Sequence, residues 1–355
     1  MKNENVSQAV GPSHDLRHPC VNLLLRIACF DAYALAAEFV DDAGFVARVA
    51  QIDPSRGYHA HPRYRGLRPG MYSDDTERAV ANARVLVGLA DGIPATPLAF
   101  ANTYVDEFNR SGKRKGYARN YQAFLEKVKS GEAFLETIKP ASCRNGAAMG
   151  AGPIGVLPSV GDVLRVAAIQ ASVTHNTKCG IFSARAAALA THFALYEDDP
   201  LDPCLRTYLL DHFSALAAPF GDEDDCGHGH LFAGVIRGPW RMSSRVWDEP
   251  DHPTALGTIA AALALVAPSR SDWAYRLLGH AHHSRGTFLL HALRHVLVPG
   301  SDTDSVAAVL AAWLAPRFRH ERLPTFFERD LEFADPWTGT PRLLELGGLL
   351  MKKYL

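Results

Sequence analysis

No stretch of this sequence approaches the ~20 consecutive apolar residues of a membrane-spanning helix. The polar residues 1–16 also lack the apolar centre of a signal peptide. Charge of one sign is missing too: 37 Lys and Arg against 38 Asp and Glu leave a net charge of −1 over 355 residues. A protein whose main partner is bare nucleic acid presents a cationic surface, so this balance argues against that class. The six cysteines, Cys20, Cys29, Cys143, Cys179, Cys204 and Cys226, include no C-x-x-C pair. So scattered, they are expected as free thiols in a reducing cytoplasm, not as a disulfide framework or a zinc site. One exposed reactive thiol is the alternative. Alternating strand patterns are nearly absent, no Pro/Ser-rich linker divides the chain, and no internal repeat is found.

What the chain does have is long Ala- and Leu-rich segments with a helical period. Residues 21–39, 76–89, 160–173, 181–195, 254–266, 272–298 and 306–314 are the clearest. Apolar residues recur in steps of three and four, as at Val163, Val166, Ala167 and Ala171, which places them on one helix face. Glycine and proline fall mostly between these segments, where they stop helices. The pattern predicts an all-α fold: one compact domain over residues 19–355, after a flexible tail, 1–18. Two long loops interrupt it. Residues 40–70 carry Arg48, Arg56, Arg63, Arg65 and Arg68 among aromatic residues and histidines. Residues 219–253 are acidic, then rich in histidine and tryptophan. Loops of this length are often functional, although a solvated surface excursion would look the same.

Two acidic clusters carry chemistry. Ser73-Asp74-Asp75-Thr76 and Asp302-Thr303-Asp304-Ser305 each precede a helix and follow a glycine, Gly70 or Gly300. Singly, each reads as a well-capped helix start. Together they would offer four carboxylates and several hydroxyls, a hard-oxygen set suited to magnesium or manganese. Crowded carboxylates would repel one another without cations. Glu38 ends an apolar helix, with Asp31 two helical turns earlier on the same face; alone it also reads as a solvent-facing helix end. Asn145-Gly146-Ala147-Ala148-Met149 is a small-residue loop whose backbone N–H groups could approach a phosphate. His175, in Thr174-His175-Asn176, reads equally as a buried structural histidine. His280, His282 and His283 resemble a metal site, but no acid accompanies them.

A helix ending in Glu, then Ser-Asp-Asp-Thr, Asn-Gly-Ala-Ala-Met, Thr-His-Asn and Asp-Thr-Asp-Ser, in that order, resembles the ADP-ribosylglycohydrolase family. The resemblance runs from about Leu23 to about Leu314. It implies an all-α orthogonal bundle and a centre of two magnesium ions, with manganese as a substitute, against the distal ribose of ADP-ribose. By that likeness Ser73, Asp74, Asp75, Asp302, Asp304 and Ser305 fall on metal-ligand positions. Glu38 falls on an acid beside the metals, near a mobile flap. Ser142, Asn145, Gly146 and His175 fall where diphosphate and ribose bind. The chain departs from the family pattern at Phe30 and Leu35, each in place of Gly, at Gly150 in place of Arg, at Ser301 in place of Gly and at Ser305 in place of Thr. The ligand oxygens survive these changes, which bear on substrate fit.

The expected activity is therefore hydrolysis of ADP-ribose from a modified protein side chain, with arginine favoured by family analogy. Asp74, Asp75 and Glu38 are the catalytic candidates. An ADP-ribosylating toxin is a possible partner, countered by reversal or by occlusion. The rival expectations are a non-catalytic ADP-ribose- or toxin-binding protein on the same fold, and an unrelated magnesium-dependent phosphohydrolase.

Overall fold

The computed structural model describes residues 23–52, 57–197, 199, 201–238, 254–266 and 288–355. In chain order its helices are α1 Leu23–Ala34, α2 Ala43–Ala50, α3 Asp74–Ala90, α4 Pro97–Arg110, α5 Arg119–Leu125, α6 Gly131–Thr137, α7 Val160–Ser172 and α8 Lys178–Tyr196. They continue with α9 Leu201–Asp211, α10 Phe213–Leu216, α11 Phe232–Arg237, α12 Thr254–Val266, α13 Phe288–Val296, α14 Thr303–Leu314, α15 Phe326–Arg329 and α16 Thr340–Tyr354. Among the described residues there are no strands, only two isolated bridges. No helix there is long and apolar enough to cross a membrane.

Local chemistry sets many of the helix starts. Ser73, Thr96, Ser130, Ser159 and Thr177 each accept a backbone N–H of the turn that follows, capping α3, α4, α6, α7 and α8. Pro97 opens α4, where its missing N–H costs nothing. The core is built on α1, α8, α12 and α14. Every residue of α1 and of α14 is buried, as are most of α8 and α12, the signature of helices enclosed on all sides. α8, α12 and α14 are rich in alanine, a small side chain that suits close helix packing. α1 packs chiefly on α14, α7 on α8, and α3 on α4 and α16.

Four expectations change. The helix over 21–39 is α-helical only to Ala34 and tightens to a 3-10 turn at Leu35–Ala37. The Ala34 carbonyl accepts from the Thr303 hydroxyl (2.7 Å) and the Phe39 N–H turns to the Ser301 carbonyl (2.8 Å). Asp31 and Glu38 therefore do not share a helix face. Residues 40–70 are not one loop, since Asp42 caps α2 within them, and α11 interrupts 219–253. The cysteines are not all isolated thiols: Cys179 and Cys226 form a disulfide, and Cys143 lies beside them. Burial pushes the free thiol of Cys29 up to about 12, which leaves it inert. The tail 1–18, Cys20, residues 239–253 and the 280–283 histidines lie outside the described residues, and of the 272–298 helix only α13 falls within them.

Candidate active site

The two acidic clusters, 227 positions apart by number (302 − 75), meet in one cleft of about 1090 Å³. Glu38, Asp74, Asp75, Asp302, Asp304 and Ser305 line it together with Ser142, Asn145, Gly146 and His175. Ser73 lies just behind, 1% exposed.

Backbone pairing brings the parts together. Gly300, with a φ of 73°, turns the chain so that its N–H meets the Val40 carbonyl (2.8 Å). Phe39 holds a left-handed φ of 51° and bonds to Ser301. These two bonds clamp Glu38 beside the start of α14, where carboxylate oxygens of Glu38, Asp302 and Asp304 come within 4.8 Å of one another. On the other wall Asp31, fully buried, accepts the Ser73 N–H (3.0 Å), the Thr76 N–H (3.0 Å) and the Thr76 hydroxyl (2.6 Å). It thereby fixes the first turn of α3. The Ser73 hydroxyl donates to Asp75 Oδ2 (2.9 Å), while Asp75 Oδ1 is buried with no hydrogen-bond partner.

Burial and mutual repulsion raise these acids. Burial, opposed by Arg78 and aided by Asp31, lifts Asp74 from 3.8 to about 8. Burial, then Asp31, Asp74 and Asp302, holds Asp75 well above the carboxylate range. Burial, then Glu38 and Asp75, does the same to Asp304. Burial, then Asp302, raises Glu38, to which the Tyr64 hydroxyl donates a hydrogen bond. Burial moves Asp31 only to about 6, because its donors stabilise the anion. An orphaned buried carboxylate oxygen among acids that resist ionising suits hard divalent cations, which take oxygen ligands and relieve such repulsion.

The third wall binds differently. Asn145 donates to Asp302 (3.0 Å) and to the Thr258 hydroxyl (3.1 Å). A side chain on Gly146 would strike the His175 ring, with its Cβ at 2.8 Å. The Thr174 hydroxyl sits 2.7 Å from His175 Nδ1. Burial, then Arg78, pushes His175 down to about 3, so it acts here as a neutral imidazole. Ser142 Oγ accepts the Arg144 N–H (3.2 Å).

Sequence reasoning missed several groups in this cleft. Arg78 stacks on Tyr104 (3.9 Å to the ring centre) and faces Tyr121 (5.2 Å). Its position one turn after Asp74 was the available signal. Tyr117, Tyr121 and Phe124 form an aromatic wall, with Lys115, Arg119, Lys139 and Arg144 around it. Of the five arginines in 40–70, Arg63 and Arg65 line the cleft. Arg68 stacks on Phe333 and Arg48 on Phe45, and Arg56 lies outside the described residues. His61 and Tyr64 stack on each other (3.7 Å), and His61 Nε2 reaches the Glu38 carbonyl (2.9 Å). The segment thus folds back onto Glu38.

A family model described as ADP-ribosylglycohydrolase matches residues 13–353. No curated protein matches the sequence. One solved structure, described as an ADP-ribosylglycohydrolase-related protein complex, is similar over 96% of this chain and 99% of its own. The identity is 20% and the TM-score 0.62, a likeness of fold.

Proposed function

Because the chain belongs to the ADP-ribosylglycohydrolase family, we propose that its cleft hydrolyses the bond between ADP-ribose and a modified protein side chain, with two magnesium ions held by Asp74, Asp75, Asp302 and Asp304. The observation that carries this reading is the meeting of Glu38, Asp302 and Asp304 within 4.8 Å, opposite the orphaned Asp75 oxygen. When bound, such ions orient ribose hydroxyls and lower the pKa of a water. Ser73 and Ser305 add hydroxyl oxygens at the two helix starts. Glu38, hydrogen-bonded by Tyr64, stands where a carboxyl group can hold or take a proton. Neutral His175 and the Asn145–Gly146 turn present hydrogen-bonding groups to the nucleotide. The cationic residues Arg63, Arg65, Lys115, Arg119, Lys139 and Arg144 suit its diphosphate.

Arginine is the linkage we favour, by family analogy, and reversal of a toxin's ADP-ribosylation is a role that fits such an activity. The test is mass spectrometry of the products from ADP-ribosyl-arginine protein. We expect intact ADP-ribose and restored arginine, with loss of activity in excess chelator and recovery with magnesium or manganese. Released inorganic phosphate would point to a phosphohydrolase instead. The doubly substituted Asp74→Ala, Asp75→Ala chain should fold and not turn over. Full protection of toxin-exposed cells by that variant would favour occlusion over catalysis.

A further inference from the structure

At the edge of the cleft, three segments run side by side. Ala141 pairs with His175, and Thr177 with Asp224. The Lys178 N–H donates to the Asp224 carbonyl (3.0 Å), the Asp224 N–H to the Asn176 carbonyl (2.9 Å), and the Thr177 hydroxyl to the Ser142 carbonyl (3.1 Å). Lys178 also pairs with Asp225 (3.0 Å). This lacing brings one cysteine from each of two of these segments and one from the first turn of α8 to a single point: the sulfurs of Cys143, Cys179 and Cys226 all lie within 4.8 Å of one another. His228, two residues after Cys226, has a buried Nδ1 with no hydrogen-bond partner.

We propose that Cys143, Cys179 and Cys226, with His228 as fourth donor, form a site for a thiophilic divalent cation of the zinc class in the reduced chain. Three thiolates around zinc at ~2.3 Å stand about 3.8 Å apart, within the separation seen here. Cys179 lies in the first turn of α8, a helix of 19 residues, where the helix dipole favours a thiolate. The donor set is soft, unlike the all-oxygen set of the cleft, so the two sites select different ions. The Cys179–Cys226 disulfide and the bound cation are alternatives. Opening the S–S bond takes two electrons and two protons from a dithiol, which leaves as its own disulfide. Cation binding then releases the three thiol protons to solvent. Cys143 lies between Ser142 and Arg144 of the cleft, and Cys179 follows His175 by four residues. A cation here would tie two cleft walls to the 222–228 loop.

The test is a cadmium titration of the full chain, reduced with a phosphine under anaerobic conditions and followed by thiolate-to-cadmium absorption, which carboxylates do not give. We expect saturation at one equivalent, at least tenfold weaker binding in Cys143→Ser and in His228→Gln, and competition by zinc. Zinc should also raise the melting temperature of the Asp74→Ala, Asp75→Ala variant, whose oxygen site is impaired. Circular dichroism and ADP-ribose binding check that the Cys143 and His228 variants remain folded. No thiolate absorption in the reduced chain, a titration unchanged by Cys143→Ser, or a disulfide that survives the phosphine would overturn the site. An unchanged His228→Gln titration would remove that residue from it. None of these readouts depends on glycohydrolase turnover.

Discussion

Asp31 and Asp74 show how differently one residue type behaves a few ångströms apart. Asp31 is met by three donors and rises only to about 6; Asp74 rises to about 8. A carboxyl whose folded pKa exceeds its unfolded value binds more protons in the folded state, so stability falls as pH rises between the two. For Asp74 that window runs from 3.8 to about 8, and Asp75, Asp304 and Glu38 shift in the same direction. The chain in chelator should therefore lose melting temperature between about pH 5 and pH 8, and magnesium should restore most at the upper end. Magnesium binding at pH 7 should also release protons, measurable by calorimetry in buffers of different ionisation enthalpy. A melting temperature flat across this range, with no proton release, would contradict the raised acids. Substituting Asp31 by Ala removes the charged acceptor of three hydrogen bonds at the start of α3. A loss of about 2–4 kcal/mol in urea unfolding is expected.

At the scale of elements, the approach to α3 is held by a buried clip. Arg114 bonds to Glu332 (2.7 Å), to Glu77 (3.3 Å) and to the Tyr72 carbonyl (2.8 Å), and stacks on the Tyr72 ring (4.0 Å). Glu332, in a left-handed conformation (φ 48°), also accepts the Tyr72 N–H (2.9 Å). Replacing Arg114 with Met leaves two buried carboxylates unpaired and should cost about 3–5 kcal/mol, seen in urea unfolding. A cost under about 1 kcal/mol would mean that water already screens the pair. The 40–70 segment is the second element to test. His61 and Tyr64 anchor it on Glu38, and Arg63 donates to the Phe39 carbonyl. ADP-ribose should slow proteolysis within it, and Glu38→Ala should lower turnover more than it weakens ADP-ribose binding. Unchanged cleavage and normal turnover would make it an ordinary surface segment.

Across the whole molecule, the periodic helices were legible because burial on all sides leaves a plain apolar record: α3, α7, α8, α12 and α14 fall where the pattern puts them. The acidic clusters were legible because their spacing and capping residues are local. What was not legible depends on distant neighbours. α1 stops at Ala34 because Thr303 takes its carbonyl, 269 residues away. Arg78 and Arg114 read as ordinary helix and loop cations until Tyr104, Tyr121 and Glu332 arrive beside them. The three cysteines carry no spacing signal, because they come from two loops and the first turn of α8, and only the lacing of 140–143, 175–178 and 224–226 unites them.

The packing of α1 on α14, and the grip of Glu332 on Tyr72 and Arg114, also set the order of events during synthesis. Asp31, Glu38 and Ser73–Asp75 leave the ribosome early, yet residues 300–305, which complete their site, and 330–335, which hold the approach to α3, emerge much later. At ~5–20 residues per second the early acids wait ten seconds or more for their partners. In that interval α1, with no face suited to water, lacks α14, the helix it chiefly packs on, a burden that falls to chaperones. Contacts this distant in sequence also make for slow folding. A chain cut short before 300 would thus retain 27 of the thirty residues lining the cleft and still have no centre in which to work: only Asp302, Asp304 and Ser305 come after that point, and they are the ones that close it.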